Sequence, residues 1–140
     1  NTTLTASNAL TNPISCNGQT ATVTVTASNG SPSYTYSTNG TNYNSSNIFS
    51  NLAAGSYTFY VKDSQGCIKT TSLTISSPSA LTINAVPTAI TCNGANDGQI
   101  NIQGSGGTPS YTYSIDGTNF SASGIFFKIE FVLIILTKII

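Results

Sequence analysis

The chain has 140 residues with four Lys, four Asp or Glu, zero net charge, and no His, Arg, Met or Trp. No basic cluster exists to meet phosphates, which removes the electrostatic case for nucleic acid, and the lack of His removes the commonest general base and metal ligand. Abundant Ser, Thr and Asn would suggest disorder, but seven Tyr, six Phe and many Val and Ile argue for packed strands.

In chain order, the first predicted strand covers residues 3–10, with a short piece at 13–15. "TATVTVTAS" (residues 20–28) alternates strictly, setting Val23 and Val25 on one face and Thr22, Thr24 and Thr26 on the other, the period of a half-buried strand. Further strands are predicted at 33–38, 47–52, 56–62 and 68–75. The turn dipeptides Asn17-Gly18, Asn29-Gly30, Asn39-Gly40, Asp97-Gly98 and Asp116-Gly117 tolerate the positive φ of tight reversals. No segment carries an apolar stripe of helical period, so no helix is predicted. Short strands with frequent turns fit an antiparallel, immunoglobulin-like β-sandwich.

The pattern then returns. "SPSYTYSTNGTNY" (31–43) reappears as "TPSYTYSIDGTNF" (108–120), 77 residues on, and the match runs from Leu4–Phe49 to Leu81–Phe126. Register held over that length marks tandem modules. The expected organisation is therefore all-β and tandem: a first repeat at 1–77, a second, truncated repeat at 78–126, and an off-pattern apolar tail at 127–140. "SSPSA" (76–80) is the junction, because Pro78 cannot donate to a ladder.

Cys16 and Cys67 flank four predicted strand passes. An even number of passes returns the chain to the end it left, which puts both cysteines at one end, within reach of a disulfide. In the chain-entropy model a loop of about 52 residues gains roughly 4 kcal/mol from that bond. Buried free thiols and a Cys67–Cys92 link are the alternatives. Cys92 copies Cys16, and the copy of Cys67 would fall near position 144, beyond the sequence. Three scattered Cys without His do not give metal-ligand spacing, so neither metal nor cofactor is expected.

Several of these segments, namely the "CNG…NDG" turn, "GGTPSYTYS", "NLAAGSYT", the "VKDSQGC" ending and the "SPSALTI" opening of the next copy, resemble in order the SprB-type repeat of bacterial gliding-motility adhesins. The resemblance covers nearly all of residues 4–126. It implies a large secreted surface protein built of many such units, exported by the type IX pathway, that grips a substratum. Its partners would be neighbouring repeats and a polysaccharide or abiotic surface. It offers no catalytic residues.

Other sites are weighed against plainer readings. Residues 93–98, "NGANDG", have the oxygen ligands of a calcium loop, but only Asp97 is charged and a tight turn explains them. Tyr34, Tyr36, Tyr111 and Tyr113 recur at i, i+2 and are the candidate glycan contacts; as alternating aromatics they suit a core better. The Thr rows are ordinary exposed strand residues. In the tail, Lys128 and Glu130 interrupt the apolar run, which stays well short of the roughly 20 residues of a spanning helix. Its abrupt departure from the repeat is expected to reflect a frameshift, a sequencing slip or a truncated gene. The leading expectation is a non-catalytic structural or adhesive module at the bacterial cell surface. The competing one is a carbohydrate-binding module of a secreted enzyme.

Overall fold

A computed structural model describes residues 3–92 and 95–128. It is all-β, with no helix among the described residues. The strands are β1 Thr5–Asn12, β2 Ala21–Ser28, β3 Thr35–Ser37, β4 Ile48–Leu52, β5 Gly55–Lys62, β6 Ile68–Ile75, β7 Thr82–Thr88, β8 Gln99–Ser105 and β9 Ile125–Phe127. They form three antiparallel sheets ordered β1-β2-β4, β3-β5-β6 and β7-β8-β9. The expected strands are present, except that β1 runs through to Asn12, with a register shift between Leu10 and Asn12, and that the short piece predicted at 13–15 forms no strand. The chain divides into two compact units, Asn1–Pro78 and Ser79–Ile140.

In the first unit, alternation along β2 turns Ala21, Val23 and Val25 inward, and alternation along β5 does the same for Phe59 and Val61. These side chains meet in one buried cluster with Leu4, Ile14, Tyr36 and Ile75. Each fully buried apolar side chain contributes about 1.5–3 kcal/mol. The Phe49 ring, from β4, lies 5.1 Å from that of Phe59 and joins the two sheets. Asn8 on β1 donates through Nδ2 to Thr71 Oγ1 and to Ser72 O at 2.6 and 3.1 Å. That clasp ties edge strand β1 to edge strand β6 across the gap between the sheets.

The second unit repeats the first sheet. β7-β8-β9 corresponds to β1-β2-β4, and Ile100 and Ile102 take the buried places of Val23 and Val25. Thr82 faces Ser105 as Thr5 faces Ser28, each pair joined through its hydroxyls, at 2.7 and 2.8 Å. The counterparts of β5 and β6 would begin near position 132. That stretch, with most of the off-pattern tail, lies outside the described residues. Leu81 is 38% exposed where its counterpart Leu4 is 5%. Leu4 sits beside the turn after β5, and the described part of the second unit contains no such turn. No helix among the described residues is long and apolar enough to cross a membrane.

Asn29 and Gly30 both have positive φ, 62° and 65°, as a two-residue reversal needs. A Cβ on Gly30 would lie 2.9 Å from Asp63 Oδ2 and 3.1 Å from Leu4 Cβ. Gly18 also has positive φ but meets nothing within 4 Å. Gly18→Ala should cost about 1–2 kcal/mol from backbone conformation alone, and Gly30→Ala measurably more, in parallel urea titrations. Equal losses would mean that the close approach to Asp63 contributes nothing.

Asp97-Gly98 does not form its predicted reversal. Asn96 takes the positive φ, 49°, and Gly98 is buried at the start of the β8 inner face, where the first unit has Ala21.

Candidate functional site

Of the four candidate tyrosines one is buried and three are half-buried. Tyr36 pairs with Val61 and is only 7% exposed, and burial raises its hydroxyl pKa above the ordinary value. Tyr34 packs against the same core, and its hydroxyl donates to Asn29 O at 2.7 Å. In the second unit Tyr111 donates to Gly106 O at 2.6 Å, and the Tyr113 oxygen accepts from Gly104 N at 3.3 Å. Tyr36 is buried in the first unit's core, and Tyr34, Tyr111 and Tyr113 are half-buried with their hydroxyls bonded to the backbone of their own unit, an arrangement that suits packing better than glycan contact. Tyr34→Phe should cost about 1 kcal/mol for the lost hydroxyl bond, read as a lower urea midpoint, without creating or removing glycan affinity.

Two turns recur with their bonding intact. Ser37 Oγ donates to Asn39 Oδ1 and accepts from Asn39 N and Gly40 N. Asn39 Oδ1 also accepts from Thr41 N and Asn42 N. Ser114 and Asp116 make the same bonds 77 residues later. Donors around Asp116, led by Asn119, hold its carboxyl far below the ordinary range. Asp116 thus replaces Asn39 as an acceptor and acquires no separate role.

The CNG turns show a matching substitution. Gln19 Oε1 accepts from Ser15 Oγ and Cys16 N in the first copy. In the second, Asp97 accepts from Thr91 Oγ1 at 2.6 Å and from Thr91 N at 3.1 Å. The one carboxylate of the candidate calcium loop is therefore occupied in closing its turn. Residues 93 and 94 lie outside the described set, and no group of potential metal ligands occurs among the described residues.

Asp63 went unassigned in the sequence and is the one buried charged residue among the described residues of the first unit. It is buried at 5% exposure in the turn between β5 and β6. Oδ2 accepts from Ser31 N at 3.1 Å, and Oδ1 accepts from Gln65 N at 3.0 Å and Cys67 N at 2.9 Å. These donors, Ser31 first, lower its pKa. One carboxylate thus fastens the β2–β3 loop to the β5–β6 turn. The available signal was the string D-x-x-G directly after an alternating strand. Beside it lies an open cleft of about 440 Å³, lined by Leu4, Gly30, Asp63, Cys67, Ile68 and Lys69 among others.

The expected Cys16–Cys67 bond is corrected. All three cysteines are free and exposed, which also excludes buried thiols. Cys67 lies at the pole where β1 begins, since Asp63 bonds Ser31 and Leu4 lines the same cleft. Cys16 lies at the other pole, between the end of β1 and the start of β2, and its neighbour Asn17 donates to Pro78 O at 3.0 Å. Eight-residue strands separate the poles by roughly 23 Å, whereas a disulfide needs Cα atoms within about 7 Å. The parity count missed one pass. After β3 the chain turns and runs back through residues 44–47, pairing Asn44 with Tyr36 and offering Asn47 O to Val25 N at 2.9 Å. β3 and β4 consequently run in the same direction, and five passes separate the cysteines.

Compared with known families, the chain matches the SprB repeat twice, at residues 8–42 and 84–120, together just over half its length. The chain belongs to the SprB repeat family. Each SprB match spans the CNG turn, the central strand of the first sheet, the tyrosine segment and the Asn39 or Asp116 turn. The carboxylate of Asp63 and its turn fall outside the matched segments. No curated protein and no solved structure matches the chain.

Proposed function

We propose that the protein is a non-catalytic structural and adhesive module of a secreted bacterial surface adhesin, serving gliding motility or static attachment and exported by the type IX route. The observation that carries this reading is the pair of tandem SprB matches, a family of structural repeats. The backbone-bonded hydroxyls of Tyr34, Tyr111 and Tyr113 and the fully bonded Asp63, Asp97 and Asp116 support it, because each has a structural task. Neighbouring repeats are its first partners, and a polysaccharide or abiotic surface is what the assembled adhesin grips. Antibodies against the chain should label intact cells, and brief protease treatment of those cells should remove both the label and their attachment to glass. Labelling only after permeabilisation would defeat the proposal. Tight binding of the purified chain to a soluble glycan would instead favour a carbohydrate-binding accessory module.

A further inference from the structure

The first and last strands of the first repeat lie side by side and run the same way, so its chain enters at one pole and leaves at the other. Three contacts fix that direction. Leu4, immediately before β1, lines one cleft with Cys67, immediately before β6. In mid-strand, Asn8 Nδ2 donates to Thr71 Oγ1 and to Ser72 O. Past the ends of both strands, Asn17 Nδ2 donates to Pro78 O at 3.0 Å. β1 and β6 belong to different sheets and share no ladder, β1 pairing with β2 and β6 with β5. Among the described residues, Asn8 is therefore the direct polar link between these two strands. Ladder bonds in antiparallel pairs lie perpendicular to the strands. Tension applied through the repeat's two ends loads them sideways and together, drawing β1 along β2 and β6 along β5. It also draws β1 and β6 past each other in opposite senses. A strand levered off from one end would instead lose its bonds one at a time, at lower force.

We propose that the Asn8 side chain is a load-bearing clasp, which holds the entering and leaving strands of the repeat against sliding when the polypeptide is under tension. The role rests on the adhesin reading, which supplies the tension; the strand geometry stands without it. Asn suits the task because its amide carries two N–H donors on one short side chain, and here they reach a hydroxyl and a carbonyl on the neighbouring sheet. The side chain is half-buried and points to the same side of β1 as Leu4 and Ala6, both of which pack into the core. Asn17 adds a second bond in the same sense, since axial tension draws Pro78 away from the turn that carries it. Ala85 stands in β7 where Asn8 stands in β1, so the clasp belongs to the first repeat and is not common to both copies.

The test pulls the first unit, within the full chain, along two directions in an optical trap with thiol-linked DNA handles. The axial chain carries Thr3→Cys and Ser79→Cys, with Cys16, Cys67 and Cys92 changed to Ser. The same-pole chain keeps Cys16 as one handle site, carries Ser79→Cys as the other, and has Cys67→Ser and Cys92→Ser. In both, the second unit hangs beyond the handle and bears no load. Axial sliding breaks the clasp at the barrier, so Asn8→Ala should speed unfolding at constant force by about fivefold, the worth of one lost hydrogen bond. Same-pole tension opens the unit at the Cys16 turn while the clasp is still intact, so the substitution should change that rate by less than about twofold. The chain with Asn8 in place should also withstand clearly more force axially than at one pole. Equal acceleration in both directions would make Asn8 an ordinary stabilising bond and overturn the proposal. An axial force no higher than the same-pole force would overturn it as well. Either result leaves the labelling of intact cells unaffected, so failure of the clasp and failure of the adhesin reading are told apart.

Discussion

Phe59→Ala should lower the stability of the first unit by about 3–5 kcal/mol, a large part of the roughly 5–15 kcal/mol that holds a small domain folded. Phe59 has no exposed surface and lies on β5, the central strand of its sheet. Its ring meets that of Phe49 from the opposite sheet at 5.1 Å and stacks near Tyr57 at 6.3 Å. β5 is held by β3 on one side and by eight paired residues of β6 on the other. It cannot slide inward to fill the void, so the cavity persists and its cost adds to the lost transfer energy. Phe49→Ala should cost less, because Phe49 is only partly buried and its side of the core can draw water. Urea unfolding followed by far-UV circular dichroism should show a lower midpoint. Hydrogen exchange should place the loss in β2, β5 and β6 while β7 and β8 keep their protection. A loss under about 1 kcal/mol would mean that the two sheets do not share a packed core.

The parts readable from sequence were those with a repeating physical signal. Alternation along Ala21, Val23 and Val25 and along Phe59 and Val61 identified the inner faces, because burial on one side of a strand imposes a period of two. The Asn-Gly turns were readable because few residues accept positive φ. The return through residues 44–47 had no such signal. It rests on one bridge, Tyr36 with Asn44, and on the bonds between Val25 and Asn47, made by polar residues that could as well form a loop. Missing it reversed the parity of the chain and placed Cys16 and Cys67 at the same end. Asp63 was hidden for a related reason: its partners are backbone N–H groups, of which Ser31 is 32 positions away, and backbone donors leave no mark in a sequence. The exchange of Gln19 for Asp97 was equally opaque, since two different side chains close the same kind of turn.

Acid should weaken the first unit through Asp63, and Asp63→Asn should abolish most of that dependence. Asp63 is the only Asp or Glu before Pro78, so no other acidic side chain in that unit titrates. Hydrogen bonds from Ser31, Cys67 and Gln65 depress its pKa below the ordinary value of 3.8. The folded unit therefore binds its proton less readily than the unfolded chain does. That difference stabilises the fold fully above the unfolded value and is lost as pH falls below about 4 toward the folded pKa. The Asn variant keeps one acceptor oxygen but forfeits the charge, and its amide cannot accept at both the Ser31 and the Cys67 sides. It should be less stable than the parent at pH 7, yet nearly flat between pH 6 and 2, with the two curves converging at the acid end. Asp97 and Asp116, also depressed by hydrogen bonds, give the second unit an acid sensitivity of the same sign that the substitution leaves intact. Hydrogen exchange as a function of pH separates the units. Parent and variant losing protection in β5 and β6 in parallel across the acid range would show that the Asp63 carboxylate is not what fastens the Ser31 loop to the β5–β6 turn.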